Sequence, residues 1–145
     1  MRKLTDDESR FLEDAVIPVR LAAVMPSQWP VIVSLWFVLF EGSLWCATQG
    51  TAKIVEYLKS DSRCAFEVAP DEPPYRGIRG RATATLHPAR GEEVLKILLR
   101  RYLGGTDSPL ARTLLAKSGT EVAIEIKPLS VSSWDYRGRM KDSIE

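Results

Sequence analysis

The chain has 145 residues and a mass of 16.2 kDa, enough for one domain with a proper hydrophobic core. Hydrophobic residues make up 45%, charged residues 27%, and the formal net charge is +1, which excludes the basic excess of a general nucleic-acid binder. Two cysteines, Cys46 and Cys64, with a single His87, are too few for a zinc site. No metal site is therefore expected, and the cysteines read as buried thiols of a reducing compartment, with a structural disulfide as the alternative. The apolar run 31–40 is half of what a membrane helix needs, and the start of the chain is acidic rather than basic and then apolar. A cytoplasmic protein with no membrane segment is expected.

Thr5-Asp6-Asp7-Glu8 has the pattern of a capping box, so a helix should follow to about Ala15. Residues 16–25 read as a strand, and Pro26-Ser27-Gln28-Trp29-Pro30 as a turn. Residues 31–40 read as a second strand, apolar on both faces, which needs a cover on each side: helices of the same chain, a partner subunit or a flat ligand. Glu41-Gly42-Ser43 closes a hairpin to a third strand ending near Thr48. A helix over 51–59, a strand over 63–68 and a proline-rich loop over 70–74 follow. Residues 75–87 alternate as a half-buried strand, with Arg79, Arg81, Thr83 and Thr85 on one face. Helices over 91–102, stopped by Gly104-Gly105, and over 108–117 precede two last strands, 121–126 and 131–136. Residues 138–145 read as a polar tail.

Some seven strands with short connections in so short a chain imply antiparallel pairing and a barrel. The expected class is mainly β with flanking helices, forming one domain over 1–145.

Ala47-Thr48-Gln49-Gly50-Thr51-Ala52-Lys53 carries the most chemistry, because there a strand gives way to a helix. The first N–H groups of a helix lack internal partners and carry partial positive charge. Lys53 in that first turn is disfavoured unless an anion joins it. A phosphate held by Lys53, the Thr48 and Thr51 hydroxyls and the free N–H groups would resolve the conflict. The other reading is an ordinary helix start, with Thr51 as cap and Lys53 in solvent.

Taken in order, Leu21-Ala22-Ala23-Val24, Val33-Ser34-Leu35-Trp36-Phe37, Gly42-Ser43-Leu44-Trp45, the 47–53 turn and Asp61-Ser62-Arg63-Cys64-Ala65 resemble one known family. These are the pyridoxamine 5′-phosphate oxidase-like flavin-binding split-barrel proteins, and the resemblance covers about residues 12–137. It implies an antiparallel split β-barrel of the FMN-binding type, a homodimer, and FMN, or alternatively F420, bound in clefts between subunits. By position, Thr51 and Lys53 would hold the cofactor phosphate, with Thr48 and Gln49 beside them. Val33, Ser34, Leu35 and Trp36 would line the flavin ring, and Trp134 would reach the partner's site. Apart from the resemblance, Arg79 and Arg81 share a strand face and could bind a second anion, such as the acidic tail of F420 or a substrate carboxylate; the other reading is a solvated face paired with Glu67 or other acids.

The departures bear on the reaction. In the true pyridoxamine-phosphate oxidases the second strand carries an arginine and a lysine, whereas residues 31–37 here carry no charge. Ala52 stands where they have an arginine, and Ser130 and Ser132 replace their C-terminal arginine and glutamate. Serine does not replace an arginine clamp on a phosphate, so vitamin B6 oxidation is not expected. What remains is a flavin-dependent oxidoreductase on a small organic substrate, with no catalytic side chain assigned. The alternatives are an F420-dependent reductase, a non-catalytic flavin carrier or sensor, and a haem-binding relative. His87, next to Pro88 at a strand end, does not stand where a haem ligand would be expected. Arg100-Arg101 and Arg137-Arg139 read as surface charge.

Overall fold

The computed structural model describes residues 3–139. Residues 140–145 of the expected tail, like residues 1 and 2 of the expected domain, lie outside them. Four helices, α1 (Asp6–Asp14), α2 (Lys53–Ser60), α3 (Gly91–Leu103) and α4 (Pro109–Leu115), flank seven strands. The strands are β1 (Val19–Val24), β2 (Pro30–Leu35), β3 (Val38–Phe40), β4 (Ser43–Gln49), β5 (Arg63–Val68), β6 (Arg76–His87) and β7 (Glu121–Asp135). All pairings are antiparallel, in the order β2-β1-β5-β6-β7-β4-β3. Among the described residues no helix is long and apolar enough to cross a membrane.

The run 31–40, expected as one strand, is two. Val31, Val33 and Leu35 of β2 turn inward beside β1, while Ile32 on the outer face is 69% exposed. After Leu35 the ladder stops, Trp36 and Phe37 cross over, and β3 pairs with β4 at the opposite edge of the sheet. Consecutive strands thus occupy the two edges of one sheet, which curls so that a two-residue link bridges them. Phe37 in that link is fully buried.

The strands buried on both faces are instead β4 and the start of β7. Leu44 and Cys46 of β4 face the barrel core with Ile124 and Ile126 of β7. Trp45 of β4 and Ala123 of β7 lie under Val94 and Leu98 of α3. Leu95 and Leu99 on another side of α3 meet Ala111 of α4. This chain's own helix α3 therefore provides the second cover. The two expected final strands are also one, because a bulge at Leu129 of β7, opposite Arg81 and Ala82 of β6, accommodates Pro128 without ending the ladder.

Helix α1 has the expected capping box: Glu8 N–H donates to Thr5 Oγ1 at 3.1 Å and Thr5 N–H to Glu8 Oε1 at 2.9 Å. Its far end is closed from α3. Arg101, expected as surface charge, is half-buried and donates to the carbonyls of Leu12, Glu13 and Ala15 at 3.0, 2.8 and 2.7 Å. A lone guanidinium thus satisfies three orphan acceptors of the last turn.

Candidate functional site

A cavity of about 420 Å³ opens where the chain leaves β2 for the opposite sheet edge. Ser34, Leu35 and Trp36 line it from the end of β2, and Ala47, Thr48 and Gln49 from the end of β4. The last pair between β3 and β4 is Val38 with Trp45, so Ala47–Gln49 run on with no strand on that side. Leu95 and Leu98 of α3 and Leu114 of α4 make an apolar wall; Thr113, Lys117 and Glu121 supply polar groups. Volume and mixed apolar and polar lining fall in the range of small-molecule sites.

Trp36 owes its position to α3. Its ring stacks on Tyr102 at 5.0 Å between centroids and 9° between planes. Tyr102 is fixed in turn: its hydroxyl donates to the Ile17 carbonyl at 2.8 Å and accepts from Phe37 N–H at 3.1 Å. Burial raises the Tyr102 pKa, so it stays a neutral donor at physiological pH.

Gln49 is a structural clamp more than a free ligand group. Its amide donates to Glu121 Oε2 at 2.5 Å and to the Lys117 carbonyl at 3.1 Å, and its Oε1 accepts from the Thr120 hydroxyl at 2.6 Å. Burial pushes the Glu121 carboxyl up, and the bond from Gln49 opposes that.

Five of the ten residues expected at a cofactor therefore line one cavity: Ser34, Leu35, Trp36, Thr48 and Gln49. Val33 does not: it packs in the barrel core beside Leu21, two residues short of the strand end where Leu35 meets the cavity. Thr51 and Lys53 stand just beyond Gln49 on an open corner. Neither threonine caps α2: its N-cap is Ala52, with no side-chain hydrogen bond. Thr51 is exposed, and the Lys53 ammonium lies 3.4 Å from Glu56.

Arg79 and Trp134 are elsewhere in the chain. Through the register, Ser34, Arg20, Glu67 and Arg79 form one row on four successive strands, which separates Ser34 from Arg79 by three strand spacings, about 14 Å. Arg79 lies over the Trp134 ring at 5.1 Å. Trp134 also lines a second cleft, of about 540 Å³, between α1 and the ends of β6 and β7. Glu67, an alternative partner for Arg79, is 3.9 Å from Arg20 instead.

His87 is in neither cavity. Its Nε2 is 3.0 Å from Glu125 Oε1, and its ring packs at 5.0 Å on Trp45. Sequence reading missed the helical wall (Leu95, Leu98, Thr113, Leu114) and Lys117 and Glu121 altogether. The leucines read only as core periodicity, and no local motif marks residues brought in from 60 positions away.

No protein-family model matches the chain, and no curated protein sequence matches it. Solved structures do. The conserved hypothetical protein Rv2991 from Mycobacterium tuberculosis superposes with a TM-score of 0.78 at 19% identity, over 94% of this chain and 91% of that one. A protein named F420 reductase gives 0.75 at 22% identity, over 89% and 98%. A Listeria innocua protein provisionally named a pyridoxamine 5′-phosphate oxidase gives 0.66 at 16%, over 88% and 95%. A curled seven-stranded antiparallel sheet with flanking helices, superposing over nine-tenths of such chains, is the split-barrel fold of the pyridoxamine 5′-phosphate oxidase-like proteins, and this chain has it.

Proposed function

We propose that the chain binds FMN in the cavity beside Trp36 and acts, as a homodimer, as a flavin-dependent oxidoreductase on a small organic substrate. The observation that carries this reading is the convergence of Ser34, Leu35 and Trp36 with Thr48 and Gln49 on one cavity; Thr51 and Lys53 follow Gln49 by two and four residues. The donor set fits the ligand. Leu95, Leu98 and Leu114 offer an apolar bed for a ring system, and the Ser34 and Thr48 hydroxyls and the unpaired edge of Ala47–Gln49 offer polar partners for its heteroatoms. In this reading the exposed Thr51 and Lys53, next along the chain, would take the phosphate.

When bound, the flavin supplies the hydride or electron transfer; the chain supplies binding, orientation and exclusion of water. Trp36, held by Tyr102, fixes one boundary of the ring site, and the leucines of α3 and α4 keep that side dry. The open outer face of β2, with Ile32 at 69% exposure and Trp29 of the preceding turn at 71%, favours a second copy as cover. F420 is the alternative cofactor, favoured by the likeness to the structure named F420 reductase.

Titration of the protein with FMN and with F420, followed by fluorescence, tests the assignment. Binding of FMN, weakened about tenfold in Lys53→Ala with an unchanged melting temperature, is the expected result. Reduction of the bound flavin by a nicotinamide cofactor and its reoxidation by a substrate would mark an enzyme rather than a carrier. Light scattering should give twice the 16.2 kDa of one chain; a monomer mass removes the dimer from the proposal.

A further inference from the structure

The FMN phosphate carries a charge of about −1.5 to −2 at neutral pH, and a lone exposed lysine is a weak answer to it. Lys53 is 77% exposed and already shares its charge with Glu56, while Ala52 beside it offers no polar group. The turn at the end of β4 is therefore short of positive charge for a dianion.

The fold brings a second lysine to that corner. Gly50 N–H donates to the Thr120 carbonyl at 2.9 Å, and Gln49 Nε2 donates to the Lys117 carbonyl at 3.1 Å. Thr120 N–H donates to the same Lys117 carbonyl at 3.2 Å. These bonds fix the root of Lys117 against the Gln49 side-chain amide, and Thr120 against Gly50, the residue before Thr51. The Lys117 side chain lines the cavity, and among the described residues it enters no ion pair. The one carboxylate lining the same cavity, Glu121, is committed to Gln49.

Building on the flavin reading, we infer that Lys117 is a second phosphate-binding cation, adding its charge to that of Lys53. It is a specificity residue: it distinguishes a phosphorylated flavin from riboflavin, which shares the ring but has no anion. The chain thus gathers from two segments 64 positions apart the charge that a single turn would otherwise have to carry.

The test compares dissociation constants of FMN and riboflavin for the wild type, Lys117→Gln and Lys117→Arg. Lys117→Gln is expected to weaken FMN about tenfold and leave riboflavin unchanged, with Lys117→Arg restoring most of the loss. Unfolding midpoints should not move, because the bonds at position 117 use its backbone carbonyl. An unchanged FMN affinity, or equal weakening of FMN and riboflavin, overturns the assignment while leaving the flavin site standing. A wild type that binds neither compound overturns both.

Discussion

Tyr102 and Gln49 each hold a wall of the cavity without facing a ligand alone. Tyr102 joins the end of the N-terminal segment, the 36–37 link and α3 through one hydroxyl and one ring. Gln49 joins β4 to the segment before β7. The clamp has a pH signature through Glu121. Burial raises its carboxyl pKa, so the folded chain keeps a proton that the unfolded chain has already released. The stability that this proton brings is present below the ordinary carboxyl pKa and is lost as pH rises through the raised value. Glu121→Gln keeps an acceptor for Gln49 and removes the titration. Its urea midpoint should exceed that of the wild type at neutral pH, with the gap closing below about pH 4. Little of this was legible in the sequence. A capping box such as Thr5 with Glu8 shows locally, but Arg101 closing α1, or Gln49 holding Lys117, depends on contacts between residues 60 to 90 positions apart.

Elements of strong local period were legible: α1, the 41–43 hairpin turn, β5, β6 and α3 with its Gly104 stop lie where pattern and turn residues put them. The two misreadings share a cause. Periodicity reports which side chains are apolar, not where a ladder changes partners. Residues 31–40 stay apolar through a change of sheet edge, and Pro128 interrupts a strand that a bulge lets continue. One strand too few before α2 and one too many at the end left the count of seven intact. The cover on β4 depends on how closely α3 approaches β7 at Gly91, where a Cβ would come within 1.9 Å of the Glu121 carbonyl oxygen. Gly91→Ala should therefore lower stability by about 2–4 kcal/mol in urea unfolding, and loosen FMN binding as α3 draws back from the cavity. A neutral effect would mean that α3 is not held there.

For the whole molecule, closure rests on the link between β2 and β3. Phe37, fully buried, fills the barrel where no ladder does. Phe37→Ala should cost about 3–5 kcal/mol, with hydrogen exchange rising first in β2 and β3 and least in β6 and β7. Uniform exchange throughout would count against a local seam. The barrel, its antiparallel pairing and its resemblance to known split barrels were accessible from ordered motifs. The seam was not, because it is defined by two edges that never pair.

That unpaired seam bears on how the proposed guest would get in. Along most of the wall, parting neighbouring strands would mean stripping amides of their partners, but β2 and β3 have none to lose to each other. A small molecule entering beside the 36–37 crossing need only push side chains apart. Loading and release of that guest would then leave the scaffold intact, with the gap between the two edge strands as the doorway.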